Sequence, residues 1–454
     1  MELRTSRQQL LPLIGIVVAL LSLSIWGGVV EMSPQLLLGF AISGGLIIAF
    51  GIIAWWLLLS PLPALKVSPA RLTPATRQLL ALLVTGSAAL LMIGLTWDEA
   101  WHRIYGVPIG EDFFWRPHIL MYISFGLVTL FAFGGLAVIN RNPGTLRHKF
   151  RAEPLLGLLV LMSGFMLLSL PVDPLWHQIY GVDLTAWSLP HLVMFGAAGL
   201  IFILGAAIQA SVIPKTGWKV GFGLREGIAA YMLSQSVLIL LILLVVEWDG
   251  THTEMMQMPD IFYARPQWLF PALIVGVTAF FGLLTQRLFQ RVGLATFMGI
   301  LTILTRWIMI EIVGGTDVGM TIRPQLIGLI PLVLLDLVMF VRMKQADTPL
   351  TLRLAIGAAV TVGMAITLII IGQWYVVPQI TPGFLLQTVI FGIPLSLLLA
   401  AYGAQVGGAL QRMGGNEGVQ VAAARAVLLR GAVGVVVMIA LMAVFLVTAT
   451  PPVT

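Results

Sequence analysis

The stretch LLALLVTGSAALLMIGLTW, Leu79 to Trp97, runs nineteen residues without a charged side chain and stops at Asp98-Glu-Ala-Trp-His102. A run of about 18 or more apolar residues is long enough to cross a bilayer as a helix. Similar runs recur along the whole chain. They predict about thirteen spans, centred near residues 20, 48, 88, 128, 166, 201, 236, 277, 303, 333, 362, 393 and 438. The composition agrees, with 59% hydrophobic and 10% charged residues and a mean hydropathy of +1.00. The short alternating segments of a β-barrel do not occur. The expected fold is an all-α, polytopic integral membrane protein. Residues 1–454 form one transmembrane domain whose partner is the lipid bilayer.

The 47 glycines suit close helix contacts in lipid. The first run reaches about Val30, too long for the apolar region of a signal peptide, and reads as an uncleaved helix. With no cysteine, disulfides, thiolate metal sites and iron–sulfur clusters are excluded.

A net charge of +6 raises the question of nucleic acid, and its distribution answers it. With thirteen spans and a cytoplasmic N-terminus, 20 of the 25 cations fall in inner loops. Only Arg103, Arg116, Arg265 and Arg323 fall in outer loops, and Arg306 lies inside a span. This is the positive-inside bias. It predicts a multi-pass protein of the cell membrane with a cytoplasmic N-terminus and no nucleic-acid partner. The outer face then collects most of the acids and five of the six histidines. His148 alone is cytoplasmic, and it reads as a solvated loop residue.

Two stretches share one pattern. Asp98-Glu-Ala-Trp-His102-Arg-Ile-Tyr-Gly106 is followed by Trp115-Arg-Pro-His118. Asp173-Pro-Leu-Trp-His177-Gln-Ile-Tyr-Gly181 is followed by Trp187-Ser-Leu-Pro-His191. Asp and His four apart share a helical face. The second His comes 16 or 14 residues later and opens the next helix. There the positive end of the helix dipole favours the neutral imidazole, which is the form that ligates metal. Both Asp residues are expected to close their helices at the outer boundary, where the negative dipole end and partial desolvation disfavour an anion. A bound cation would offset that cost. Asp, His and His suit a transition metal with coordination positions left open. The bland reading is a local Asp–His hydrogen bond with Trp97, Trp101, Trp115, Trp176, Trp187, Tyr105 and Tyr180 as interfacial or packing residues, and Gly106 and Gly181 as helix stops.

A looser repeat runs through the chain. Helices tend to start with Pro followed by His or Gln, at Pro34-Gln35, Pro117-His118, Pro190-His191, Pro266-Gln267, Pro324-Gln325 and, slightly ahead of its span, Pro378-Gln379. This suggests duplicated helical hairpins over roughly 78–140, 154–213, 224–288 and 292–343. The third carries an altered set, with Asp249, His252 and Glu254 as weaker ligand candidates beside Met255, Met256 and Met258. His with clustered Met favours copper. Arg306 and Glu311, five apart on one span, and Asp336 in another, read as paired structural charges or as proton-path residues.

The second copy resembles the intramembrane metal motif in the C subunit of the particulate methane and ammonia monooxygenases. The resemblance rests on Asp173-Pro-Leu-Trp-His177-Gln, Thr185, Ser188 and Pro190-His191, some 20 residues. In that family an Asp, a His four residues on and a later His bind copper within the bilayer. The resemblance implies copper at Asp173, His177 and His191 and, through the internal repeat, at Asp98, His102 and His118. It also implies monooxygenase-like oxidation of an apolar substrate, with further membrane subunits as partners. This chain departs from the family in carrying the motif twice, in its longer His–His spacing and in its larger number of spans. Zinc and iron remain as alternative metals. The residues alone leave two other functions open: capture or transport of a metal ion, and a haem-binding electron-transfer protein. Against haem stands the Asp in each set.

Overall fold

The computed structural model describes residues 34–58, 60–63, 71–105, 114–141, 143–180, 189–214, 217–245, 248, 266–343, 349–375 and 378–414. Among them the fold is all-α. Its one strand pairing is a parallel contact of two residues each, β1 (Lys219–Val220) with β2 (Arg291–Val292). Ten helical segments are long and apolar enough to cross a membrane. They coincide with the ten expected spans from that near residue 88 to that near residue 393. Helix α1 (Pro34–Leu58) covers the expectation near residue 48, and those near 20 and 438 lie outside the described residues. Leu168, Leu354, Ile369, Leu386 and Leu398 are each more than half exposed on their helices. Side chains of that kind belong in lipid rather than water.

Contacts divide the helices into two groups. The first holds α1, helix α2 (Pro74–Tyr105) as far as Leu91, α3 (Arg116–Asn140), α4 (Leu146–Ala152), α5 (Pro154–Ser169), α6 (Val172–Tyr180) and α7 (Leu189–Ala210) as far as Ile208. Here α3 packs on α5, and α4 ties α1 in place. Arg147 of α4 donates to the carbonyl oxygens of Trp56 and Pro61 at 3.1 and 3.0 Å and lies over the Trp56 ring. Gly135 lets α3 approach α5, because a Cβ there would crowd Leu156. His148, read as solvated, is half-buried and caps α4 through Thr145.

The second group holds the end of α2 from Met92, α8 (Leu224–Val245), α9 (Leu269–Phe289), α10 (Leu294–Ile312), α11 (Arg323–Arg342), α12 (Pro349–Trp374), α13 (Pro382–Gln387) and α14 (Ile393–Gly414). Helix α9 is its axis, buried on nearly every side and packed on α8, α11, α12 and α14. Gly403 and Gly407, four apart on α14, bring the α14 backbone against α9. A Cβ at Gly403 would fall on the carbonyl oxygen of Phe280, the small-residue packing that membranes favour. A π-turn at Thr388–Gly392 joins α13 to α14. It sits just ahead of Pro394, which has no N–H to continue the α-helical ladder.

Candidate metal centre

Helix α2 has 32 residues and so measures about 48 Å, well beyond the ~30 Å of a hydrocarbon core. Its last turns carry Asp98 and His102 on one face. The Asp98 carboxylate oxygen lies 3.5 Å from His102 Nε2, with side chains 15% and 23% exposed. His118 is the third residue of α3 and buried, with its ring between those of Trp115 and Tyr122. Asp98, His102 and His118 each offer one ligand atom, and these atoms all lie within 4.8 Å of one another. Within the first group, α3 is fastened to the earlier part of α2. Ser124 Oγ donates to the Ser87 carbonyl at 2.6 Å, and Gly135 lies beside Leu80.

Magnitudes show what this can hold. Metal–ligand bonds of ~2.0–2.1 Å put neighbouring ligand atoms about 3.4 Å apart in a tetrahedral site and at most about 4.1 Å apart across any site. The Asp98–His102 separation already meets the first figure. A separation at the 4.8 Å bound would have to close by about 1.4 Å for a tetrahedral site, a movement that a change of side-chain torsion can supply. One carboxylate and two imidazoles then leave positions open for water or substrate.

The second copy differs in its backbone. Helix α5 stops at Ser169, a turn follows at Leu170 and Pro171, and α6 starts afresh at Val172. Pro171 has no N–H for the ladder, and Pro174 is tolerated only in a first turn. Asp173 therefore sits in the first turn of α6, at the positive end of its dipole. It also lies in the last turn of the whole apolar span Pro154–Trp176, where the sequence placed it. The Asp173 carboxylate lies 3.4 Å from Nε2 of His191, with side chains 14% and 23% exposed. His191 is the third residue of α7. The side chain of His177 lies outside the described residues, as do Asp249, His252 and Glu254.

No family model, curated protein or solved structure matches this chain. The chemistry of the two copies rests on their own residues.

Among the described residues, the tryptophans flanking the copies pack inward. Trp97, Trp101, Trp115 and Trp176 are all buried, and Trp97, Trp101 and Tyr105 form an edge-to-face stack along α2. Gln267, at the position held elsewhere by His, accepts a hydrogen bond from Trp248 Nε1 at 3.1 Å.

Two charges of the spans have partners that sequence spacing did not supply. Arg306 pairs with Glu99 at 2.7 Å and not with Glu311, which accepts from Thr316 Oγ1 instead. Asp336 takes 2.8 Å hydrogen bonds from the backbone N–H and hydroxyl of Thr296, in the first turn of α10, and another from Gln286 at 3.2 Å. It is a remote helix cap. The Glu99–Arg103 spacing of four was visible in the sequence. The third member, Arg306, comes from a helix some two hundred residues away.

Proposed function

We propose that this protein is an integral membrane metalloprotein that binds a transition metal, with copper favoured, at Asp98, His102 and His118. The observation carrying this reading is the convergence of those three ligand atoms across one helical hairpin. The second copy is proposed as a further site formed by Asp173, His177 and His191, supported by the approach of Asp173 to His191. Both sites are proposed at the extracytoplasmic face of the cell membrane, with the N-terminus inside, on the distribution of the cations. The resemblance to the C subunit of the particulate monooxygenases extends the proposal to oxidation of an apolar substrate reaching the site through lipid, alongside further membrane subunits.

Within such a site each residue has a definite task. Asp98 and Asp173 supply the negative charge that offsets the cation, and the neutral imidazoles supply the nitrogen donors. The bound metal would supply redox or Lewis-acid chemistry at its open positions. Trp115 and Tyr122 hold the His118 ring in position.

A second reading is capture or delivery of a metal ion. It is favoured by the partial exposure of Asp98, His102, Asp173 and His191, which leaves the ligands within reach of an arriving ion. Elemental analysis of purified protein, with an absorption and electron paramagnetic resonance spectrum, tests both. One or two equivalents of copper are expected. Protein that stays metal-free after copper loading would end the metalloprotein reading. Loading that discharges rapidly to a chelator would favour delivery over catalysis. Orientation is tested on this cysteine-free chain by cysteines placed at residues 110, 183 and 145. The first two should label from outside in sealed cells, and labelling of the third would reverse the topology.

A further inference from the structure

The last turns of α2 carry two ion pairs side by side. Asp98–His102 and Glu99–Arg103 both have i,i+4 spacing, stepped by one residue and hence by about 100° around the helix. The first pair belongs to the candidate metal centre. The second faces α10 and the turn that follows it. Glu99 takes Arg103 on one carboxylate oxygen at 2.8 Å and Arg306 of α10 on the other at 2.7 Å. Arg103 reaches on to the carbonyl oxygen of Val318 at 3.3 Å. Both arginine side chains are 2% exposed and Glu99 is 10% exposed. Two further contacts run beside the charges. Ala100 packs on Ile310 and Met320, and the Thr96 hydroxyl approaches Met309 Sδ at 3.8 Å.

Helix ends fray, and an end built only of i,i+4 pairs on itself would fray with its ligands. A metal site tolerates ligand positions only within about 0.2 Å. Something outside α2 must therefore hold the turn carrying Asp98 and His102. The charge network does this at two successive turns, through Glu99 and Arg103. Arg306 is the anchor. It is buried and forms an ion pair with the second carboxylate oxygen of Glu99 from a separate helix, so the register of α2 against α10 is fixed by charge as well as by packing. The second copy does not repeat these charges in its sequence. The residues after Asp173 and His177 are the uncharged Pro174 and Gln178.

We propose that Glu99, Arg103 and Arg306 are positioning residues for the first metal centre, acting through the helical turn that presents Asp98 and His102. This rests on the metal reading of that triad. The second copy, whose sequence does not repeat these charges, serves as an internal control.

The test is Cu(II) binding to the purified full-length chain, followed by titration and by electron paramagnetic resonance. The variants are Glu99→Gln, Arg306→Met, the double variant carrying both, and Arg306→Lys. Losing an outer partner of a metal ligand typically weakens metal affinity 10- to 100-fold. That loss is expected at the Asp98 centre in Glu99→Gln and Arg306→Met, with a broadened copper signal and full occupancy recovered at high copper. Arg306→Lys should recover part of the affinity. Copper bound by the second copy should keep its affinity and signal in all of them. Because a single change leaves a buried charge without its partner, the double variant is the safeguard against misfolding. If the double variant elutes and melts as the parent does and binds copper at parental affinity with an unbroadened signal, the positioning role is overturned. The metal reading fails separately, if the parent itself takes up no copper that His102→Ala removes.

Discussion

The two copies of the Asp-x-x-x-His motif share residue types, order and near-equal spacing, yet they sit on different backbones. In the first copy the motif is the end of one unbroken 32-residue helix. In the second it occupies a nine-residue helix of its own, started afresh by Pro171 and Pro174. Asp98 thus lies at a negative dipole end and Asp173 at a positive one. Their neighbours differ as well. The first copy is flanked by the buried Arg103–Glu99–Arg306 network and the second, at the matching positions, by Pro174 and Gln178. A duplicated motif is therefore not a duplicated site. Electrostatic need is greater in the first copy, where the dipole opposes the carboxylate and the proposed cation would relieve it. Mechanical support is greater there too.

The sharpest way to break this contrast is to remove one ligand. His102→Ala should cost one metal equivalent and leave the second copy loaded, as read by elemental analysis. Loss of both equivalents would mean that the copies share one centre. Unchanged content in both His102→Ala and His177→Ala would reduce the motif to architecture.

Metal loss must also be separated from loss of fold, and a distant change does this. Gly403→Ala drives a methyl group into the Phe280 carbonyl. Forcing extra volume into a packed contact costs about 1–3 kcal/mol. A lower melting temperature in detergent is expected, with metal content intact in both copies. If Gly403→Ala also empties a copy, metal content tracks general stability and the contrast between the copies weakens.

The smallest effect expected is on the backbone difference itself. In the Pro171→Ala/Pro174→Ala double variant the N–H groups return, and α5 and α6 are free to run on as one helix, like α2. Asp173 would then move to a different rotation and rise relative to His191. Roughly tenfold weaker metal binding at the second copy is expected, about 1.4 kcal/mol, with the first copy unchanged. Equal binding in parent and variant would show that the break in the helix is incidental to the ligands.

Most of the fold was legible in the sequence. Ten described spans fall where uninterrupted apolar runs place them, because a bilayer leaves a backbone few options besides the helix. The Asp98–His102 pair was legible for a similar reason, since spacing of four on a helix fixes a shared face. The Pro-His starts of α3 and α7 were equally plain, because proline is at home in a first turn. Three things were not. The interruption at Leu170 and Pro171, which puts Asp173 in the first turn of a short helix at the end of its span, was missed, because an apolar run does not say where prolines will divide it. Asp336 was read as a paired charge or a proton-path residue, when its partner is the backbone of another helix's first turn. Arg306, read as a paired structural charge or a proton-path residue, is indeed paired, but its partner Glu99 was not visible in the sequence.

The sequence by itself determined which segments are helical and which residues share a helical face, because both follow from hydropathy and from 3.6 residues per turn acting locally. Only the tertiary structure decided that Arg306 reaches back to Glu99. That contact depends on how helices far apart in sequence lean on one another, which in lipid is set by close packing and a few buried polar pairs rather than by any local pattern.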